Sequence, residues 1–293
     1  MGAVAAYARP VDATEQPVPV RGGAVTGLLT ACHPGPAAAV TVLVTVLAAA
    51  AGHDGRGCLA VAAAVLAGQL SVGWCNDAVD AARDRAAGRH GKPVVSGAVG
   101  AGTVRCAAVV ALVLAVPLSL ACGALAGGVH LAGVAAAWAY DLGLKATAWS
   151  WLPYAAGFAA LPAFVTLSLP GGPWPAWWVV AAGILLGVGA HLGNVLPDIG
   201  HDLVTGVRGW PQRLGPARVR RLLPVPLVLA SLLLAFAGPR PGGPGAAGAA
   251  VAVAVAVAGA LVGRGRPRVP FVAAVVVAGI DVALLVARGA AIT

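Results

Sequence analysis

The sequence predicts an all-α membrane protein, a bundle of nine transmembrane helices with its polar chemistry gathered at one end. Three observations carry that expectation. Apolar residues make up 59% of the 293-residue chain and charged residues only 10%, with a mean hydropathy of +0.88. Apolar runs of the length that crosses a bilayer, about 20 residues, recur along the whole chain. Positive charge falls almost entirely on one side of the resulting topology.

Taken in order, residues 1–23, with Pro10, Asp12, Glu15, Pro17 and Pro19, read as a short cytoplasmic tail. This tail lacks the apolar core of a signal peptide, and MGAVAA departs from the myristoylation pattern at its sixth position. Residues 24–293 form the transmembrane domain. Apolar runs place spans at 34–52, 57–76, 102–121, 124–141, 150–169, 174–195, 221–237, 243–262 and 269–287. Several are short or glycine-rich. Segment 249–258 alternates Ala and Val, a strand-like period. Within a long apolar run it is read as helix, because an open strand leaves its backbone unsatisfied in lipid. The five cysteines contain no CxxC pair and mostly sit in apolar runs, so free, buried thiols are expected.

Nine spans from an inside N-terminus put 16 of the 19 Lys and Arg on the inside. These are Arg9, Arg21, Arg83, Arg85, Arg89, Lys92, Arg105, Lys145, Arg208, Arg213, Arg218, Arg220, Arg221, Arg264, Arg266 and Arg268. Only Arg56, Arg240 and Arg288 fall outside. The bias predicts a multi-pass protein of the plasma membrane with that face in the cytoplasm. The net charge of +9 then belongs to loops near anionic lipid and an anionic substrate. No nucleic-acid signature is present.

Asparagine occurs only twice, and each copy opens the same pattern: NDAVDAARD from Asn76 and NVLPDIGHD from Asn194. The pattern Asn-x-x-x-Asp-x-x-x-Asp thus repeats 118 positions apart, and Asp80, Asp84, Asp198 and Asp202 are four of only ten acidic residues. On a helix, positions i, i+4 and i+8 project from nearly one face. Two such faces brought together repel unless cations lie between them. Hard oxygen donors that leave room for water suit Mg²⁺ holding a phosphate-bearing substrate. Both motifs end helices on the inside, in agreement with the charge bias. Each is followed by basic loops, RDRAAGRHGKPVVSG and HDLVTGVRGWPQRLG, in which Arg89, Lys92 and Arg208 are placed to contact phosphate oxygens. Arg218, Arg220, Arg221, Arg264, Arg266 and Arg268 read as headgroup anchors.

These two motif regions, with YDLGLKATAWSWLPYAAG from Tyr140, resemble the UbiA-type intramembrane prenyltransferase superfamily. The resemblance implies a nine-helix bundle with a central cavity open toward lipid and capped by cytoplasmic loops. It implies Mg²⁺ as cofactor and an isoprenoid diphosphate as substrate. Asn76, Asp80, Asp84, Asp198 and Asp202 become the metal and diphosphate residues, with the four aspartates catalytic. Arg89, Lys92, Lys145 and Arg208 become diphosphate contacts, and Tyr140 lines the cavity. Asp77 and Asn194 complete the expected substrate-binding set. Three positions depart from the family pattern: Lys92-Pro93 for Arg-Pro, a first-helix signature reduced to His33-Pro34, and Pro197 before Asp198.

The expected chemistry is ionisation of the diphosphate to an allylic cation, followed by capture by an aromatic or other lipophilic acceptor. The alternative is cyclisation of the cation on itself. A transporter is disfavoured because both motifs lie on one side of the membrane. Trp74, Trp138, Tyr140, Trp149, Trp151 and Tyr154 are candidate faces for a cation. Trp149, Trp151, Trp174, Trp177 and Trp178 also suit an interfacial belt. His191 reads as a packed, hydrogen-bonded histidine. Asp141 is expected to pair with Lys145 at i, i+4. Asp281 reads either as a functional intramembrane acid or as the cap of an outer helix turn.

Overall fold

The computed structural model describes residues 23–238, 243–262 and 269–293. Among them there is no strand. Residues 1–22 of the expected tail and Arg240, Arg264, Arg266 and Arg268 lie outside the described residues. The helices are α1 (Ala24–Ala31), α2 (Pro34–Ala51), α3 (Gly55–Ala86), α4 (Ala101–Leu120), α5 (Ala124–Leu142), α6 (Leu152–Leu167), α7 (Trp177–Val195), α8 (Ile199–Val204), α9 (Trp210–Leu214), α10 (Pro216–Leu222), α11 (Pro224–Phe236), α12 (Gly243–Val262) and α13 (Val269–Arg288). Nine of these coincide with the nine expected spans. Among the described residues, seven segments are long and apolar enough to cross a membrane. Helix α5, diluted by Gly127, Gly128, Gly133 and His130, and the 16-residue α6 fall short by composition and length. Helix α12 confirms the helical reading of the Ala/Val repeat.

Local signals start these helices. Pro34 opens α2, where a missing N–H costs nothing. Asp54 caps α3, its carboxylate accepting from the Gly57 amide at 2.7 Å. Helix α3 has 32 residues. At 1.5 Å per residue it runs about 48 Å against a hydrocarbon core of about 30 Å. The excess is about three turns, and the last turns of the helix carry the first acidic motif.

The helices pack as a ring. Each of α2 to α6 packs on the next, α7 packs on α11, α11 on α12 and α13, and α13 returns to α2. One continuous core runs inside the ring, from Val44 and Leu47 through Phe164 and Leu192 to Leu234 and Val277. The outward faces are apolar: Val109, Val110, Val113 and Leu114 on α4, and Val272, Val275 and Val276 on α13 are exposed. That inverted pattern is what a protein surrounded by lipid requires.

Three expectations change here. All five cysteines are free, but Cys106 is exposed on the outward face of α4, where an apolar side chain meets lipid at no cost. Trp178 is 3% exposed under the Arg288 guanidinium, so it belongs to the core, whereas Trp149, Trp174 and Trp177 remain exposed. Asp281 is fully buried and does not cap a turn; it is hydrogen-bonded across to Ser231 of α11.

Candidate functional site

The first motif stands on unbroken helix. Asp77, Asp80 and Asp84 lie on the last turns of α3, each held by cations. Lys145 donates to both oxygens of Asp80, at 2.6 and 2.7 Å, and Arg83 reaches the same carboxylate at 3.0 Å. Lys145 sits on a 3₁₀ turn, Leu144–Ala146, directly after α5. Lys92 donates to Asp77 at 2.5 Å, and His33 Nε2 lies 3.0 Å from the same oxygen. That pair ties the loop after α3 down onto the junction of α1 and α2. Asn76 donates through Nδ2 to Asp141 Oδ1 at 2.7 Å and lies 3.4 Å from Asp80 Oδ2.

The second motif stands on broken helix. Helix α7 ends at Val195, a 3₁₀ turn runs Leu196–Asp198, and α8 resumes at Ile199. Pro197 accounts for the break: it has no N–H to give the helix, and its ring clashes with the carbonyl four residues back. The single ligand face expected for this motif is therefore interrupted. Asn194 is exposed and donates to the Tyr154 hydroxyl at 2.9 Å. Asp202 accepts from Gln212 of α9 at 2.7 Å.

Arg89 joins the two motifs. Its Nη2 donates to Asp198 at 2.7 Å and its Nη1 lies 3.5 Å from Asp84. One guanidinium thus spans acids 114 positions apart in the sequence (198 − 84). A second link runs through the loops. A Cβ at Gly209 would collide with the Lys145 carbonyl oxygen, so the loop after α8 lies directly on the turn that presents Lys145. The Trp210 amide donates to Ser150 Oγ at 3.0 Å, and Ser150 Oγ lies 3.1 Å from His191 Nε2.

Beneath the acids lies an aromatic cluster. Tyr140, Tyr154 and His191 meet with ring centroids 5.0 to 5.7 Å apart. His191 is packed as expected. Trp138 and Trp74 are fixed through their ring N–H groups, to Ser71 Oγ at 3.1 Å and to the Leu28 carbonyl at 2.8 Å.

The structure therefore gathers Asn76, Asp77, Asp80, Asp84, Arg89, Lys92, Lys145, Asp198 and Asp202 at one end of the bundle, with Tyr140 and Asn194 beside them. Arg208 is exposed, its carbonyl accepting from Arg213 at 2.8 Å. The expected pairing of Asp141 with Lys145 is not formed. Lys145 turns to Asp80, because α5 ends at Gly143 and the 3₁₀ turn rotates Lys145 off the α-helical i, i+4 face. Among the described residues no three His, Cys, Asp or Glu form a preformed metal cage. Asp77, Asp80, Asp84 and Asp198 rest on basic side chains, and Asp202 on the Gln212 amide. Sequence reasoning missed four participants: Arg83 on Asp80, His33 on Asp77, Gln212 on Asp202 and Asp141 on Asn76. Only Arg83, at i+3 from Asp80, carried a local signal.

Comparison with known proteins agrees with this architecture. Over 189 residues the chain is 32% identical to the bacteriochlorophyll synthase 33 kDa chain of Cereibacter sphaeroides, covering 58% of this chain and 59% of that one. It thus spans about three fifths of that relative's length. A UbiA homologue from Archaeoglobus fulgidus, bound to DMAPP and Mg²⁺, superposes with a TM-score of 0.67 at 14% identity, over 89% of this chain and 98% of the other. A UbiA homologue from Aeropyrum pernix K1 gives 0.64 at 18% identity, over 91% and 98%. Residues 37–280 match the model of the UbiA prenyltransferase family, and the chain belongs to that family as an integral, multi-pass membrane protein.

Proposed function

We propose that this chain is a Mg²⁺-dependent prenyltransferase that ionises an isoprenoid diphosphate and transfers its prenyl group to a lipophilic or aromatic acceptor. The observation that carries the reading is the Arg89 bridge, which brings the two acidic motifs to one end of the bundle. The donor set fits the metal. Asp80, Asp84, Asp198 and Asp202 offer hard carboxylate oxygens, Asn76 adds an amide oxygen, and Asp198 is 45% exposed and thus reachable. These five residues would hold Mg²⁺, which neutralises the diphosphate and so makes it a better leaving group.

The chain's own groups do the rest. Arg83, Arg89 and Lys145 hold the carboxylates in place, and Arg89 and Lys145 stand within reach of phosphate oxygens. The Tyr140–Tyr154–His191 cluster offers ring faces beside the acids for the allylic cation. Apolar side chains of the surrounding helices would keep water away from that cation. The excess of Lys and Arg on the motif side supports a cytoplasm-facing site in the plasma membrane.

The test is incubation of purified protein with ten-, fifteen- and twenty-carbon prenyl diphosphates, with and without lipophilic acceptors, in Mg²⁺ or EDTA. Acceptor-dependent pyrophosphate release and a prenylated product, both lost in EDTA, are expected. A hydrocarbon or alcohol formed without acceptor would establish terpene cyclisation instead. Full activity in EDTA would overturn the metal assignment.

A further inference from the structure

We propose that Asp141 is a positioning residue that fixes the side-chain amide of Asn76 so that its oxygen, not its nitrogen, is offered to the cation. The inference rests on the diphosphate–metal reading above and deepens it. Two carboxylates flank one side of the Asn76 amide: Asp141 Oδ1 at 2.7 Å and Asp80 Oδ2 at 3.4 Å from Nδ2. Both oxygens of Asp80 already accept, from Lys145 and Arg83, so the carboxylate faces Asn76 as an acceptor. An amide facing such a pair has one favourable orientation. The NH₂ turns to the carboxylates, and the flipped amide would set oxygen against oxygen. Oδ1 is then left over. It takes no hydrogen bond from any described residue, and Asn76 is only half-buried.

Asp141 is placed for this task and for nothing else visible. It is 3% exposed, and among the described residues its side chain is hydrogen-bonded only to Asn76, since Lys145 turns to Asp80. Its second oxygen, Oδ2, has no partner among the described residues. A carboxylate held out of water with one bond is poorly rewarded as a stabilising element. As the partner that orients a ligand it has a reason to be there, because such outer groups fix the presentation of the atoms that touch the metal.

The experiment measures cation binding as well as turnover. Wild type, Asp141→Ala, Asp141→Asn, Asn76→Asp and the exchanged pair Asn76→Asp/Asp141→Asn are purified in detergent. Each is titrated with Mn²⁺ in the presence of inorganic pyrophosphate, with binding read by electron paramagnetic resonance and thermal stability recorded alongside. Asp141→Ala should weaken Mn²⁺ roughly tenfold or more. Asp141→Asn should retain most of the affinity, because its amide oxygen still accepts from Asn76 Nδ2. Asn76→Asp sets a carboxylate against Asp141 and should bind Mn²⁺ poorly. The exchanged pair should recover, with the donor now on position 141.

A folded Asp141→Ala with wild-type Mn²⁺ affinity would overturn the proposal. So would an exchanged pair no better than Asn76→Asp, which decides the matter if Asp141→Ala does not fold. In either case a wild type that still binds Mn²⁺ and pyrophosphate leaves the diphosphate reading standing. A wild type that binds neither removes that reading, and this inference with it.

Discussion

The two acidic motifs carry one sequence pattern on two differently built supports. The first stands on the end of a 32-residue helix, with its acids largely buried and paired with Lys145, Arg83 and Lys92, and with His33 hydrogen-bonded to Asp77. The second crosses a 3₁₀ turn at Pro197 into the six-residue α8, leaving Asn194 exposed and Asp198 half-exposed. Even the paired asparagines differ: Asn76 donates to a carboxylate, Asn194 to a phenol. The difference teaches that the pattern specifies donor atoms, while the backbone decides how much of the site is preorganised. The first half is built on continuous helix and held by buried ion pairs, while the second lies across a helix break and is more open to solvent.

The sharpest way to break this comparison is to remove one acid from each half. Asp80→Ala leaves Lys145, 7% exposed, as a buried charge without its partner. It should abolish turnover and also destabilise the protein by about 3–5 kcal/mol, a clear fall in thermal midpoint. Asp198→Ala should abolish turnover with the midpoint nearly unchanged, because its side chain is half in solvent and Arg89 keeps Asp84 as a partner. Equal stability losses in the two variants would erase the distinction between a preorganised and an adaptable half.

The same division ranks two loop cations. Lys92 and Arg208 occupy matching places after the two motifs, and both are expected from the sequence to meet phosphate. Lys92 instead grips Asp77, itself 2% exposed, whereas Arg208 is exposed. Lys92→Ala should cost about 1.5–3 kcal/mol of stability. Arg208→Ala should leave stability unchanged and raise the KM for the prenyl diphosphate roughly tenfold, provided its loop closes over the substrate. Thermal melts and initial rates separate the two. An Arg208→Ala variant with wild-type KM would place that side chain outside the site.

What was legible in the sequence follows this line as well. The bundle was readable because lipid forces apolar runs of fixed length, and the site's acids because asparagine and aspartate are so scarce here that their repetition stands out. The partners were not readable. Lys145 lies four residues after Asp141, and only the helix end at Gly143 sends it to Asp80, 65 positions away. His33 meets Asp77 across 44 positions and Gln212 meets Asp202 from a separate short helix. Such contacts depend on how loops fold back, and no periodicity encodes that. Pro197 was the exception: its helix-breaking chemistry was in view, and the i, i+4 spacing masked it.

A smaller effect is expected where the halves touch. Gly209 lies against the Lys145 carbonyl, with Ser150 and Gln212 around it. Gly209→Ala should force these apart at about 1–3 kcal/mol. Because the strain falls on the turn that presents Lys145, the loss should appear in kcat as well as in stability. A Gly209→Ala enzyme that is destabilised but keeps its kcat would show that the second loop does not govern the first motif.

The smallest effect should come from within the first half. Lys145 and Arg83 bind the same carboxylate at similar distances, 2.6 and 3.0 Å, so contact alone ranks them as near equals. Burial separates them: the Lys145 side chain is 7% exposed and that of Arg83 34%. Water and salt screen an exposed pair, and a long side chain spends entropy in forming it. Arg83→Ala should therefore change stability by less than about 1 kcal/mol. Its effect on turnover should fade further as ionic strength rises, since a partly solvated charge is screened within about 10 Å at 0.1 M salt. Lys145→Met, which keeps the length and removes the charge, should remove activity at every salt concentration. If the two substitutions prove equally harmful and equally salt-sensitive, Asp80 is more solvated than the fold implies, and the first half is no more preorganised than the second.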